Sequence, residues 1–130
     1  MSSLRLATPS PLDYATAHME DAEQFNIRDS DGRYLCPACG FPGYFDGTSY
    51  DEHDGLAGTG ICPCCYWEPG FSDCPGASGA PPTILESLRR HRRGWSSLGP
   101  AWSGLPEEIP PGWDGRAQLE HLFQLAPHVR

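Results

Sequence analysis

The sequence predicts a small α+β fold: two cysteine turns carried on short β-hairpins, flanked by helices and long irregular segments. Three observations carry that prediction. Cys36-Pro37-Ala38-Cys39-Gly40 and Cys62-Pro63-Cys64-Cys65 repeat one device, a Cys-x-x-Cys turn, with 22 residues between the copies. The 130 residues include 15 glycines and 14 prolines and are only 38% hydrophobic, a composition of many turns and a thin core. Helical periodicity is confined to the segments before and after the cysteine turns.

Two thiolates two residues apart can face one side of a tight turn, and two such turns complete the four-sulfur tetrahedron that Zn²⁺ accepts without strain. Cys36, Cys39, Cys62 and Cys65 are therefore the expected ligands of a structural zinc ion. Pro37 presets the backbone after the first cysteine, and Gly40 can take the left-handed conformation that closes its turn. Backbone N–H groups in such turns can point at the sulfurs and spread their charge. The expected architecture is thus a zinc ribbon, in which the metal supplies order that a thin core cannot. No apolar run of signal-peptide or membrane-spanning length occurs, so a soluble, cytoplasmic protein is expected. In a reducing compartment, six cysteines argue for metal binding rather than disulfides.

Residues 1–30 read as an N-terminal extension with one helix. Ser10 is its N-cap, Pro11 its first position, and Leu12, Ala15, Met19 and Ala22 share a face, with Glu20, Asp21 and Glu23 turned to solvent. Residues 31–77 read as the zinc module, introduced by an Asp29-Ser30-Asp31-Gly32 turn and a short strand, Arg33-Tyr34-Leu35, that delivers Cys36. Phe41, Tyr44 and Phe45 are placed to cover the metal centre. The segment from Asp46 to Gly58 reads as an exposed acidic loop. It holds Asp51, Glu52, His53 and Asp54, but Asp51, His53 and Gly55 cannot supply the alternating oxygen ligands of a calcium loop; His53 could replace a thiolate ligand, although four cysteines already fill the shell. Thr59-Gly60-Ile61 is the expected return strand into the second turn, and Trp67 and Phe71 are expected to close the small core. Cys64 and Cys74 are left as free thiols, Cys64 being a spectator or a reactive group.

Residues 78–130 begin with a small-residue linker, Ser78 to Pro82, followed by the capping box Thr83-Ile84-Leu85-Glu86. Ile84, Leu88, His91 and Trp95 share a face of the helix that follows, and Gly94 is placed to stop it. Arg89, Arg90, Arg92 and Arg93 fall in its last turns, where the helix dipole favours cations; they are also the candidate interaction residues for phosphate or an acidic partner. Ser96 to Gly112 should cross the surface irregularly, with Trp102 and Trp113 packing onto a neighbour. Asp114 caps a last helix whose stripe of Ala117, Leu119, Leu122, Phe123 and Ala126 faces the core or fills a partner's groove.

The formal net charge is −8 and is distributed unevenly. Residues 1–82 carry three arginines against twelve acids, whereas residues 83–130 carry six arginines against five acids. An acidic chain of this kind is not drawn to nucleic acid or anionic lipid by its overall field.

At the second turn, Ile61-Cys62-Pro63-Cys64-Cys65-Tyr66-Trp67-Glu68 resembles the signature of the bacterial cysteine-rich CPCC family. The first turn, Tyr34-Leu35-Cys36-Pro37-Ala38-Cys39-Gly40-Phe41, is similar to the tyrosine-led CPxCG element with which that family opens. The resemblance spans residues 33–75 and implies a small bacterial zinc-ribbon protein. Two features depart from the family pattern: the doubled cysteine sits in the second turn rather than the first, and Pro69-Gly70-Phe71 replaces an acidic pair after Trp67-Glu68. Cys39-Gly40-Phe41 through Tyr44-Phe45-Asp46 also resembles a rubredoxin, which implies iron as an alternative metal and electron transfer as an alternative role. No glycine follows Cys65, as a rubredoxin would require.

No nucleophile, base and orienting group occur together, and His18, His53, His91, His121 and His128 are scattered without a helical metal pair. A four-thiolate shell has no open position for water, so the site is expected to be structural and the protein not an enzyme. The sequence favours a protein-interaction module working through its acidic ribbon or arginine helix. A nucleic-acid-associated ribbon using Arg89 to Arg93 and an iron electron carrier are the alternatives.

Overall fold

The computed structural model describes residues 21–43, 45, 47–50 and 60–130. The helix predicted from Ser10, Tyr44, Asp46 and the loop residues 51–59, His53 included, lie outside them.

A single aspartate sets the strand pairing. Asp29 Oδ1 accepts the N–H groups of Asp31 and Arg33, each at 2.9 Å, and Oδ2 receives the Arg33 guanidinium at 3.0 Å. Burial pushes the Asp29 carboxyl up, but the hydrogen bonds and charge of Arg33 outweigh it and hold the group below the usual carboxylate range. With Gly32 at φ +82°, the turn joins strand β1 (Ile27–Arg28) to strand β2 (Tyr34–Leu35) in an antiparallel pair. Ile27 faces Leu35 and Arg28 faces Tyr34, so the buried side chains share one side of the pair. Leu35 also bridges Pro42, which brings the chain back past the first cysteine turn.

The second cysteine turn carries no strand among the described residues, which corrects the expectation of a return strand there. Gly60 sits at φ +112°, off the extended conformation, and Ile61 is exposed instead of packing inward. Beyond the turn, Pro69 has no N–H to extend a ladder. The chain instead coils, with Phe71 and Ser72 donating to the Glu68 carbonyl.

Elsewhere the turns follow local chemistry. Asp21 caps a 3₁₀ turn, Ala22–Phe25, by accepting the Glu23 N–H. Asn26 Oδ1 accepts the Ser49 and Tyr50 N–H groups and its amide nitrogen donates to the Tyr50 carbonyl, tying residues 49–50 to β1. Tyr50 is buried against Phe25 and donates its hydroxyl to the buried Asp73, whose other oxygen accepts the Gly70 N–H.

Three α-helices follow. Helix α1 (Pro75–Ser78) forms a single turn at the end of the predicted zinc module, reaching only the first residue of the predicted linker, and stops at Gly79, φ +73°. Helix α2 (Ile84–Ser96) begins at the predicted capping box, Thr83 accepting the Glu86 N–H at 3.1 Å, and buries Ile84, Ser87, Leu88 and Arg92. Gly94 does not end it: the helix runs two residues further and the chain turns at Gly99, φ +96°, whose N–H bonds the Ser96 carbonyl. Helix α3 (Gly115–Leu125) is capped by Asp114 through the Arg116 and Ala117 N–H groups. Leu122 and Ala126 are buried and Leu119 and Phe123 half-buried, but Ala117 is exposed and leaves the predicted stripe.

The core lies around the cysteines, where Trp67, Tyr50, Phe25, Ile84, Leu88, Leu122 and Val129 are almost wholly enclosed. Phe71, at 47% exposed, does not join Trp67 there, because the coil after Pro69 carries its ring outward. Among the described residues no helix is long and apolar enough to cross a membrane.

Two glycines test this packing in opposite directions. Gly40 combines φ +88° with a Cβ direction 2.9 Å from the Gln118 carbonyl and 3.0 Å from Leu122 Cβ, so Gly40→Ala should destabilise the fold by about 2–3 kcal/mol in thermal or urea melts. Gly94 is helical with nothing within 4 Å of its Cβ direction; Gly94→Ala should stabilise by roughly 0.5–1 kcal/mol in the same assay.

Candidate metal centre

The two cysteine turns have the same backbone. In the first, Gly40 donates to the Cys36 carbonyl at 2.7 Å and Cys36 donates to the Phe41 carbonyl at 3.0 Å. In the second, Tyr66 donates to the Cys62 carbonyl at 2.7 Å and Cys62 to the Trp67 carbonyl at 2.9 Å. The residue after each second cysteine is left-handed: Gly40 at φ +88° and Tyr66 at φ +68°. A tyrosine in that conformation is strained, so the closure of the turn outweighs a cost of about 1 kcal/mol. Its ring stays outside, 56% exposed.

Facing each other, the turns bring Cys36, Cys39, Cys62 and Cys65 together, all buried, with the four sulfurs within 4.8 Å of one another. Two pairs cross between turns: Cys36 Sγ to Cys65 Sγ at 3.7 Å and Cys39 Sγ to Cys62 Sγ at 3.8 Å. A tetrahedral ion with metal–sulfur bonds of about 2.3 Å separates its sulfurs by about 3.8 Å. The four predicted ligands therefore fit one metal ion.

The electrostatics of the cluster point the same way. Burial pushes the Cys36, Cys39 and Cys65 thiols upward, whereas hydrogen bonds from Cys36, Cys39 and Cys65 pull Cys62 far below the ordinary thiol range. Held this close and away from water, four thiolates would repel one another. A dication is what allows all four to ionise in so small a volume.

Three later segments close over the turns. From α2, the Arg92 guanidinium donates to the Ala38 carbonyl at 2.7 Å and the Pro37 carbonyl at 2.9 Å, and His91 Nε2 lies 2.8 Å from the Cys65 carbonyl with its ring edge-on to Trp67. Burial pushes the His91 pKa below its ordinary value, which keeps the ring neutral at neutral pH and suited to donating a single Nε2–H. From α3, Gln118 Nε2 donates to the Cys39 carbonyl at 3.0 Å and approaches Cys64 Sγ at 3.4 Å, while its oxygen accepts the Trp113 indole N–H at 2.9 Å. Between the helices, the Ser103 N–H bonds the Cys64 carbonyl, and Phe41, Trp102 and Trp113 stack edge to face at 5.3 and 5.5 Å.

The remaining expected site residues divide. Cys64 is buried beside the four-sulfur cluster but outside it, and Cys74 is half-buried at the start of α1; both are free thiols. Arg89, Arg90 and Arg93 are exposed on α2, but Arg92 points inward and does not belong to a surface patch with them. Helical geometry explains the split: Arg92 lies four residues after Leu88 and eight after Ile84, on the face that is buried. Nothing in the sequence marks Gln118 or His91 as a site residue; His91 stands there as a member of the apolar face of α2 and as one of five scattered histidines.

Because Cys64 and Cys74 lie outside the four-sulfur cluster, the Cys64→Ser and Cys74→Ser variants should each retain the wild-type metal-to-protein ratio, measured by elemental analysis. Cys39→Ser and Cys65→Ser should fall well below it. No protein-family model, curated protein or solved structure matches the chain, so the reading of this centre rests on its own geometry.

Proposed function

We propose that this protein is a small zinc-binding interaction module, in which Cys36, Cys39, Cys62 and Cys65 hold one Zn²⁺ as a structural ion and the surfaces around it contact another protein. The observation that carries the reading is the pair of cross-turn sulfur distances, 3.7 and 3.8 Å, in a fully protein-walled cluster. Four thiolates complete the shell, so the ion has no open position for a substrate or an activated water, and its contribution is to folding. The resemblance of the two turns to the CPCC family supports the same assignment and adds a bacterial setting.

The interaction role is supported by what the centre leaves outside. Ile61, Tyr66 and Phe71 are large apolar side chains exposed on and beside the second turn. On the far side of α2, Arg89 and Arg93 line a cleft of about 470 Å³ with Pro81, Pro82 and Glu86, offering cations next to an apolar wall. The chain's overall acidity favours a protein partner over nucleic acid for this surface.

Purified protein should contain one zinc per chain, and strong chelator should abolish its cooperative thermal transition. A metal-free chain that still melts cooperatively would end the proposal. Visible charge-transfer absorbance from thiolate-bound iron would replace the module with a rubredoxin-like electron carrier. A salt-sensitive mobility shift with DNA or RNA, lost in an Arg90→Ala/Arg93→Ala double variant, would move the function to nucleic acid.

A further inference from the structure

Arg92 is a buried cation in search of a counter-charge. Only 7% of it is exposed, and its guanidinium is held by the Pro37 and Ala38 carbonyls and lies 4.8 Å from the centre of the Phe123 ring. Among the described residues the ion pairs belong to Arg33, and no carboxylate pairs with Arg92. A buried charge without a counter-ion costs several kcal/mol, and neutral carbonyls and a ring face offset only part of that. Burial indeed pushes the Arg92 pKa down, to about 10, against the opposing pull of Cys36, Cys39 and Cys65. The two carbonyls it holds lie between Cys36 and Cys39, so the cluster that becomes negative on metal loading sits beside it.

Charge arithmetic completes the argument. Four thiolates around a dication leave a net charge of two units negative, buried in a core of apolar side chains. A guanidinium fixed on the backbone between Cys36 and Cys39 is opposite in sign and cannot lose its proton at physiological pH. Its planar fork also spans two consecutive carbonyls in a fixed geometry that a freely rotating ammonium does not impose, and so it fixes the orientation of the first turn as well as its field.

We propose that Arg92 is the internal counter-cation of the four-cysteine metal centre. It offsets part of the net negative charge of the loaded thiolate shell and braces the Pro37–Ala38 backbone so that Cys36 and Cys39 face the second turn. It is a positioning residue, acting on the metal through the turn that carries two of its ligands. The inference rests on the proposal that these four cysteines bind a dication.

The test compares Arg92→Gln, which keeps neutral donors, with Arg92→Lys, which keeps the charge but loses the fork. The readout is the rate at which zinc passes to an excess of chromogenic chelator. Arg92→Gln should release zinc about 10–100-fold faster than wild type, the range expected for an outer-shell partner, and Arg92→Lys should stay within a few-fold. If Arg92→Gln fails to fold with zinc while Arg92→Lys folds and holds it, the charge is again the deciding property. Release from Arg92→Gln at the wild-type rate overturns the inference, as does Arg92→Lys releasing as fast as Arg92→Gln or both variants failing to fold, since none of these outcomes makes the charge the deciding property. Zinc content of the wild-type chain, measured beforehand, reports separately on the four-thiolate reading.

Discussion

Mutual repulsion among four sulfurs is the constraint on which the structure turns. Thiols gathered within 4.8 Å and shut away from water cannot all ionise on their own, yet thiolates are the form that binds metal strongly. The groups around the cluster hold the backbone of the turns that carry the sulfurs. The matched backbone of the two turns aims them, with the residue after each second cysteine driven into the left-handed region. That a tyrosine accepts this conformation at one turn shows how strongly the local hydrogen bonds dictate the path of the chain. The glycine at the other turn is needed for a second reason, the close approach of α3.

The scaffold beyond the turns works mainly through carbonyl groups. Arg92 takes those of Pro37 and Ala38, His91 that of Cys65, Gln118 that of Cys39 and the Ser103 N–H that of Cys64. Turns this tight spend their N–H groups internally and leave oxygens pointing outward, where burial requires donors. Side chains from α2 and α3 supply them. The basic character of the C-terminal half is therefore partly internal chemistry and only partly surface.

Much of this was legible in the sequence where a residue's role is fixed by its neighbours. Spacing alone selects Cys36, Cys39, Cys62 and Cys65, and short-range side-chain chemistry locates the Asp29 turn, the Thr83 capping box and the Asp114 cap. What was not legible depends on distant partners. Gly94 looks like a helix stop, but Ser96 and Gly99 complete the turn beyond it. Phe71 looks like core, but Pro69 diverts the chain. Arg92 is indistinguishable from Arg89, Arg90 and Arg93 by composition, although its spacing from Ile84 and Leu88 already placed it on the inner face. Gln118 carries no signal, since an amide bridging two turns and an indole has no local pattern.

The clamps also differ in how much chain each must close. The two cysteine turns meet across separations of 23 and 29 residues, whereas Arg92 reaches Ala38 across 54 and Gln118 reaches Cys39 across 79. Loop closure favours the shorter encounters, and each tie already made shortens the effective chain that the next must search. Joining the sulfurs first would convert two remote searches into local ones. The helices would then dock on a turn already in shape, and the same oxygens that would be a liability in an open chain become their landing points.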